Sequence, residues 1–382
     1  MVNVTMRGGK RMIKRYPFYI RATVILVGLV VFVYCLSVLR EIFVPLAFAL
    51  LLAMLLNPLV DLLQKRRFSK VLAIATVLLA AIIAVAGIGY LLYLQMASFS
   101  DQMPAFERKL SQLGRILQHK ASSDYGISFQ KQAQYISEAR TGLKPILANF
   151  MGSAAGVLSM MLLLPVYAFL FLYYKVLLTT FLYEIFAEEN AKEVGAVLTQ
   201  TEGAVQSYMV GLLLEALIVA TLNSVALFIL GVDYAILLGV LGALLNVLPF
   251  IGGILAVLLP ILIATVTKDG FHTQLWIVVA YIVIQFIDNH FLVPYIVSSK
   301  VKINALISLV IVFMGGMLWG ISGMFLSIPF IGVLKIIFDR IPEMKPWGRL
   351  LGTEVPTRPK GQFGRLTKKL NPAQLKSKKK VI

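Results

Sequence analysis

The sequence predicts an all-α polytopic membrane protein with about eight hydrophobic segments, two of them long and broken by glycine and proline. Three observations carry that prediction. Of 382 residues, 59% are hydrophobic and only 14% charged, where a soluble domain is roughly a quarter charged. Apolar runs long enough to cross a bilayer recur along the chain, each needing about 20 residues as a helix. The net charge of +18 is concentrated toward the two ends, and basic flanks mark the cytoplasmic side and touch anionic lipid. Because the basic runs border hydrophobic spans, nucleic acid is not the expected partner.

The elements follow in order. Residues 1–16 form a basic cytoplasmic N-terminus with Arg7, Lys10, Arg11, Lys14 and Arg15. Residues 17–97 contain three transmembrane helices, at 17–39, 42–63 and about 71–96. The first run is too long for a signal peptide and lacks a small-residue cleavage pattern, so it reads as an uncleaved span. Lys65, Arg66, Arg67 and Lys70 put the loop before the third span inside. Residues 98–148 read as an amphipathic helical segment outside the membrane. Phe106, Leu110, Leu113 and Leu117 recur at helical spacing, as do Ala133, Ile136, Leu143 and Leu147, and Pro104 suits a helix start. Residues 149–174 form a fourth span, opened by Gly152 and Gly156 at a spacing that lets helices pack closely. Residues 175–205, with Glu184, Glu188, Glu189, Glu193 and Glu202, read as a cytoplasmic amphipathic helix. Residues 206–339 form the transmembrane core, and 340–382 a basic cytoplasmic tail.

Within that core, 234–267 is continuous hydrophobic sequence. As one helix it would be about 50 Å long, against a bilayer core of ~30 Å. Residues 305–339 pose the same problem. Each is either a kinked, tilted helix or a hairpin that returns to the side it entered. Lys300 and Lys302, between the two, lie inside only if both are hairpins, and the positive-inside rule favours that arrangement. Both segments contain the tetrapeptide PFIG, at 249–252 and 329–332. The helix-breaking residues are Pro249, Gly252, Gly253 and Pro260 in the first segment, with Asn246 beside them. In the second they are Gly315, Gly316, Gly320, Gly323 and Pro329. Unpaired backbone in hydrocarbon costs several kcal/mol per group, so such breaks survive where protein shields them or where they line a wet cavity. Paired interruptions of this kind point to the binding region of a transporter.

Polar residues at membrane depth are the second clue. Gln285, Asp288 and Asn289 stand at i, i+3 and i+4, on one helix face. Glu215 is a second carboxylate within an apolar run, with Asn223 two turns further on. A carboxylate in a span costs about 2.5–3.5 kcal/mol on insertion scales and normally faces a cavity or a partner. Such a group suits the binding of a polar solute, an ion or a proton, although a helix-end position near the interface would also accommodate Asp288.

No catalytic constellation is present. The sequence has no GxxxxGK[ST] phosphate loop, no HExxH and no GxSxG elbow, so ATP hydrolysis and intramembrane hydrolysis are not expected. His119, His272 and His290 lack the spacing and company of a zinc site. Cys35 is the single cysteine, which excludes an internal disulfide. No cofactor and no metal are expected.

With these segments placed, the chain resembles the autoinducer-2 exporter family, the PerM-like permeases. The matching stretches are "LPFIGG" at 248–253, "DNHFLVP" at 288–294, "GGMLWGISGMFLSIP" at 315–329 and "VPLAFALLLAMLLNPLVDLL" at 44–63. The chain departs from the family at Gly253 and Ala305, where proline is common, and at His290, where an aromatic residue is. The resemblance implies a multi-pass protein of the bacterial cytoplasmic membrane that forms homo-oligomers. It also implies a permease moving a small polar solute or ion, such as autoinducer-2, with cation/proton antiport as the alternative. A non-transporting membrane scaffold is the further alternative.

Overall fold

In a chain this apolar the backbone must satisfy its own hydrogen bonds inside a membrane, and helices do so segment by segment. The computed structural model describes residues 17–125, 163–186, 191–248, 252–268, 270–297 and 303–353. Among the described residues every regular element is helical.

The first three helices are α1 (Phe18–Val38), α2 (Arg40–Lys65) and α3 (Lys70–Tyr125). A bent pair follows, α4 (Leu163–Tyr173) and α5 (Lys175–Ile185), at 61° to one another. Next come α6 (Ala191–Ile229), α7 (Ala235–Asn246), α8 (Gly252–Thr267) and α9 (His272–Ile287). A π-helical stretch, Asp288–Val297, continues α9, and α10 (Ala305–Arg340) and the short α11 (Lys345–Leu351) end the described chain. Among the described residues six helices are long and apolar enough to cross a membrane, and the bent pair would make a seventh.

Two boundaries differ from the sequence reading. The third apolar run does not stop near residue 96, because α3 continues through Pro104 to Tyr125. The helical periodicity of Phe106 to Leu117 belongs to the same helix as the span. Further on, the segment 175–205 is not one amphipathic helix. Its first part pairs with α4 across the bend, and its last part runs unbroken into the apolar stretch of α6. The second predicted amphipathic helix, the Gly152–Gly156 pair, the two lysines of the 298–302 loop and most of both basic ends lie outside the described residues.

Both long apolar segments fold back on themselves. In the first, a Cβ built on Gly242 would lie 3.5 Å from the Ala256 methyl group; a straight helix would separate those residues by about 21 Å. In the second, the Ser327 hydroxyl is 3.0 Å from the Ile311 carbonyl, where a straight helix would hold them about 24 Å apart. The reversal within α10 occurs at Trp319 (φ −132°, ψ 17°) and Gly320 (φ 63°, ψ −142°). Only glycine adopts the latter conformation without strain. Pro260 and Pro329 are not at the bends; each is buried within a continuing helix, and Pro249 lies outside the described residues.

The two hairpins open toward opposite ends of α6. Lys268, after α8, lies beside Gly231 at the C-terminal end of α6. Arg340, closing α10, donates to Gln200 near the N-terminal end of α6 at 3.2 Å. Those points on α6 are about 45 Å apart, comparable to a whole bilayer with its headgroups.

Apolar packing fixes this frame. Ala49, Ala53, Leu56 and Val60 of α2 meet Ala73, Ile74 and Val77 of α3 and Ala168 and Leu172 of α4. A separate core joins Leu227 of α6 to Leu238, Ala256, Ile263, Ala264 and Ile277, so the α7–α8 hairpin is clasped between α6 and α9. Gln95 of α3 caps it, its side-chain oxygen accepting from Leu237 N at 2.9 Å. By contrast, α1 stands apart with its apolar side chains exposed.

Candidate functional site

The tip of the first hairpin, the polar face of α9 and the arms of the second hairpin meet in one cavity of about 760 Å³. Its wall includes Tyr208 and Glu215 from α6, Asn246 and Leu248 from the first hairpin, Gln285, Asp288 and Asn289, and Ile328 from the second hairpin. All five polar residues singled out in the sequence for a pathway therefore line a single space. Glu215 sits about halfway between the two points on α6 where the hairpins open.

Asp288 is the focus. It ends α9 and begins the π-helical stretch, a widened turn that often accompanies functional sites. Pro294, inside that stretch, lacks the N–H that an α-helix would use. The carboxyl is buried, at 2% exposure. Asn246 Nδ2 donates to its Oδ2 at 2.8 Å and Gln285 Nε2 donates to the same oxygen at 3.3 Å. The bond from Asn246 ties the end of α7 to α9, which explains a polar residue at the tip of an otherwise apolar hairpin. Gly253 completes the approach: a Cβ there would sit 2.5 Å from Gln285 Oε1. Gly252, one residue earlier, presses against the Leu245 carbonyl, a backbone obstacle that leaves that position no room for a side chain.

The carboxyls of Glu215 and Asp288 both line this cavity. Two carboxylates facing one largely apolar space repel each other, and a proton on the pair relieves that repulsion. No lysine, arginine or histidine lines the cavity among the described residues. His290, next along the chain, faces away, stacked on Phe286 at 4.2 Å.

The predicted hinge glycines of the second hairpin separate by role. Gly320 makes the bend. Gly315 and Gly323 bring the two arms into backbone contact, and Gly316 lies against the Met324 side chain. Sequence reasoning passed over Tyr208 and Tyr281 in the cavity wall. Aromatic residues in an apolar helix carry no positional signal; only the fold shows that these two face Glu215 and Asp288. Among the described residues no group of three or more His, Cys, Asp and Glu side chains could hold a metal ion.

A hairpin whose broken tip meets a polar cavity, a second hairpin packed along it, buried carboxyls and helices long enough to span a bilayer define the class: a multi-pass membrane transport protein. Residues 25–343 match the AI-2E family transporter model, and the chain belongs to that family. It is 27% identical to the AI-2 transport protein TqsA of Escherichia coli, over 83% of this chain and 91% of that protein. It is 24% identical to the putative transport protein YrrI of Bacillus subtilis, over 81% and 89% of the two chains. It is 25% identical to the putative permease PerM of Escherichia coli, over 63% and 69%. The protein is thus a secondary transporter of a small polar solute, and not an enzyme.

Proposed function

We propose that the solute occupies the cavity between the tip of the first hairpin and the arms of the second, and that each hairpin gates one side of the membrane. The observation that carries this reading is the meeting of Glu215, Asp288 and both hairpins midway along α6. With the N-terminus and the Lys65–Lys70 loop inside, the α7–α8 hairpin enters from outside and α10 from the cytoplasm, and both termini are cytoplasmic. The open ends of the hairpins at opposite ends of α6 support that topology. Broken spans of this kind expose backbone only where a cavity uses it.

Autoinducer-2 is the first solute to try, because one relative is an AI-2 transport protein. The amides of Asn246, Gln285 and Asn289 and the two carboxyls offer a polyhydroxylated solute both donors and acceptors. A second reading, cation/proton antiport, is favoured by one feature: an acidic pair with no basic residue in the wall. Exposed apolar α1 suits contact with lipid or with a second copy in a homo-oligomer.

Reconstitution into liposomes with a panel of candidate solutes tests the assignment. Asp288→Asn is expected to abolish transport while insertion and assembly stay normal; undiminished flux would remove Asp288 from the mechanism. Topology has its own test. In a Cys35→Ser background, a cysteine at Ser299 is expected to react with membrane-impermeant thiol reagent only from the cytoplasmic side. Labelling from outside would overturn the paired-hairpin topology.

A further inference from the structure

Beside Asp288, sharing Asn246, Tyr281 and Gln285 with the large cavity, lies a second void of about 10 Å³. That is the space one water molecule needs. Its polar walls are Asn223, Asn246, Tyr281, Gln285 and Asp288, with Gly242 and Ala256 of the first hairpin closing it. Five buried side-chain oxygens lack a hydrogen-bond partner among the described residues, and three of them belong to this wall: Asn223 Oδ1, Tyr281 Oη and Asp288 Oδ1. A buried polar atom without a partner costs about 1–3 kcal/mol. Three around one water-sized space call for an occupant.

The chemistry of the three atoms specifies it. Two are pure acceptors and the third is a hydroxyl that can donate. One water supplies two donors and an acceptor, and about three bonds is the usual number for a buried water. Asn223 has no alternative use in sight. Its Nδ2 lies toward Gly242, where an added Cβ would come within 3.2 Å, and its residue exposure is only 2%.

We infer that this void is a water site, and that Asn223 and Tyr281, acting through the water, position the Asp288 carboxyl to share one proton with Glu215. The inference rests on the transport reading above and names the coupling ion as a proton. Asp288 is then held from two sides. Asn246 and Gln285 fix Oδ2 and the water holds Oδ1, leaving the side of the carboxyl turned to the cavity it shares with Glu215 as the proton-binding face. Uptake forms one O–H bond on the pair and takes its charge from −2 to −1; release breaks that bond and returns the proton to solvent. No redox partner is involved. The groups facing the pair are Tyr208 on α6, Asn246 on α7, Tyr281 and Gln285 on α9, Asn289 in the π-helical stretch and Asn223 at the small void. No basic group in this set competes for the charge.

Infrared difference spectroscopy on the purified full-length protein tests this without a transported solute, with protons as the only ligand varied. Wild type is expected to show one carboxylic-acid C=O band that titrates, lost or replaced in Asp288→Asn and in Glu215→Gln. Tyr281→Phe and Asn223→Leu keep the volume and remove the water's partners. Each is expected to move that band, and the double variant should move it no further than the larger single. Stationary bands in both single variants would overturn the role of the water. Absence of a titrating carboxyl band in wild type would overturn the proton site. Neither result touches the flux test of Asp288→Asn, so a failure here is distinguishable from a failure of the transport reading.

Discussion

The two hairpins solve the same geometric problem by different means. The α7–α8 hairpin is clasped: its arms pack on Leu227 of α6 and Ile277 of α9, and its tip is tied to Asp288 through Asn246. The α10 hairpin holds itself. Its bend is two residues long, its arms touch through Gly315 and Gly323, and Ser327 bridges them. Its tip is open, with Met317 90% exposed and Ile321 67% exposed. One hairpin therefore depends on its neighbours for shape, while the other carries its shape with it. A self-contained hairpin can move as a unit without losing its own contacts, which fits α10 as the more mobile gate.

The contrast breaks most sharply at the glycines. A Cβ on Gly252 would overlap the Leu245 carbonyl, and one on Gly323 would overlap the Gly315 carbonyl. Both obstacles are backbone, so no rotamer change relieves them. Valine at either position is expected to cost roughly 3 kcal/mol or more, the upper range for overpacking. Fluorescence-detected size exclusion in detergent should show Gly252→Val as aggregated, because the clasped hairpin loses its fit to α6 and α9 together. Gly323→Val should disturb α10 and leave more of the protein monodisperse. Equal damage from both would remove the distinction between a clasped and a self-held hairpin.

A smaller effect is expected at Ser327. Its hydroxyl lies 3.0 Å from the Ile311 carbonyl of the opposite arm and 2.6 Å from the Gly323 carbonyl of its own. Polar links between helices in a membrane are worth about 0.6–2 kcal/mol. Ser327→Ala is expected to lower the melting temperature of the purified protein modestly and to raise hydrogen exchange specifically in 305–328. Exchange that rises instead around 235–267 would mean the hairpins are coupled and not independent.

Much of this was legible in the chain. The i, i+3, i+4 spacing of Gln285, Asp288 and Asn289 showed a polar face, and the length of the two apolar segments showed that neither could be one straight span. The bends were legible only as neighbourhoods. Five candidate breakers marked the second segment, yet Gly320 alone makes the turn while Pro329 sits in intact helix. Proline removes one hydrogen bond and tilts a helix, but surrounding packing can absorb that. The break between α4 and α5 was read as a boundary at 174/175, but not as a 61° bend within one apolar pair, because Tyr173, Tyr174 and Lys175 include no glycine or proline. Tertiary groups stabilise it. Lys70 donates to the Tyr173 carbonyl at 2.7 Å, and Lys175 pairs with Glu202 at 2.9 Å. Glu202 also accepts from Asn57 of α2 at 2.9 Å. Partners 27 to 145 residues away leave no local pattern to read.

The smallest expected effect sharpens the idea of a mobile second hairpin. The Trp319 indole at its tip donates to the Leu36 carbonyl of α1 at 2.9 Å. That carbonyl lies in the last turn of α1, where helix carbonyls have no partner of their own. Trp319 thus joins the most open part of α10 to a helix that touches little else. Trp319→Phe keeps an aromatic ring and removes the donor, at about 1 kcal/mol for a single hydrogen bond. Global melting should barely change, since Gly320 and Ser327 still hold the hairpin. The tip should open: thiol labelling of a cysteine at Met317, in a Cys35→Ser background, is expected to quicken several-fold. An unchanged labelling rate would show that the tip is held by the hairpin's own arms, and that α1 plays no part in restraining the gate.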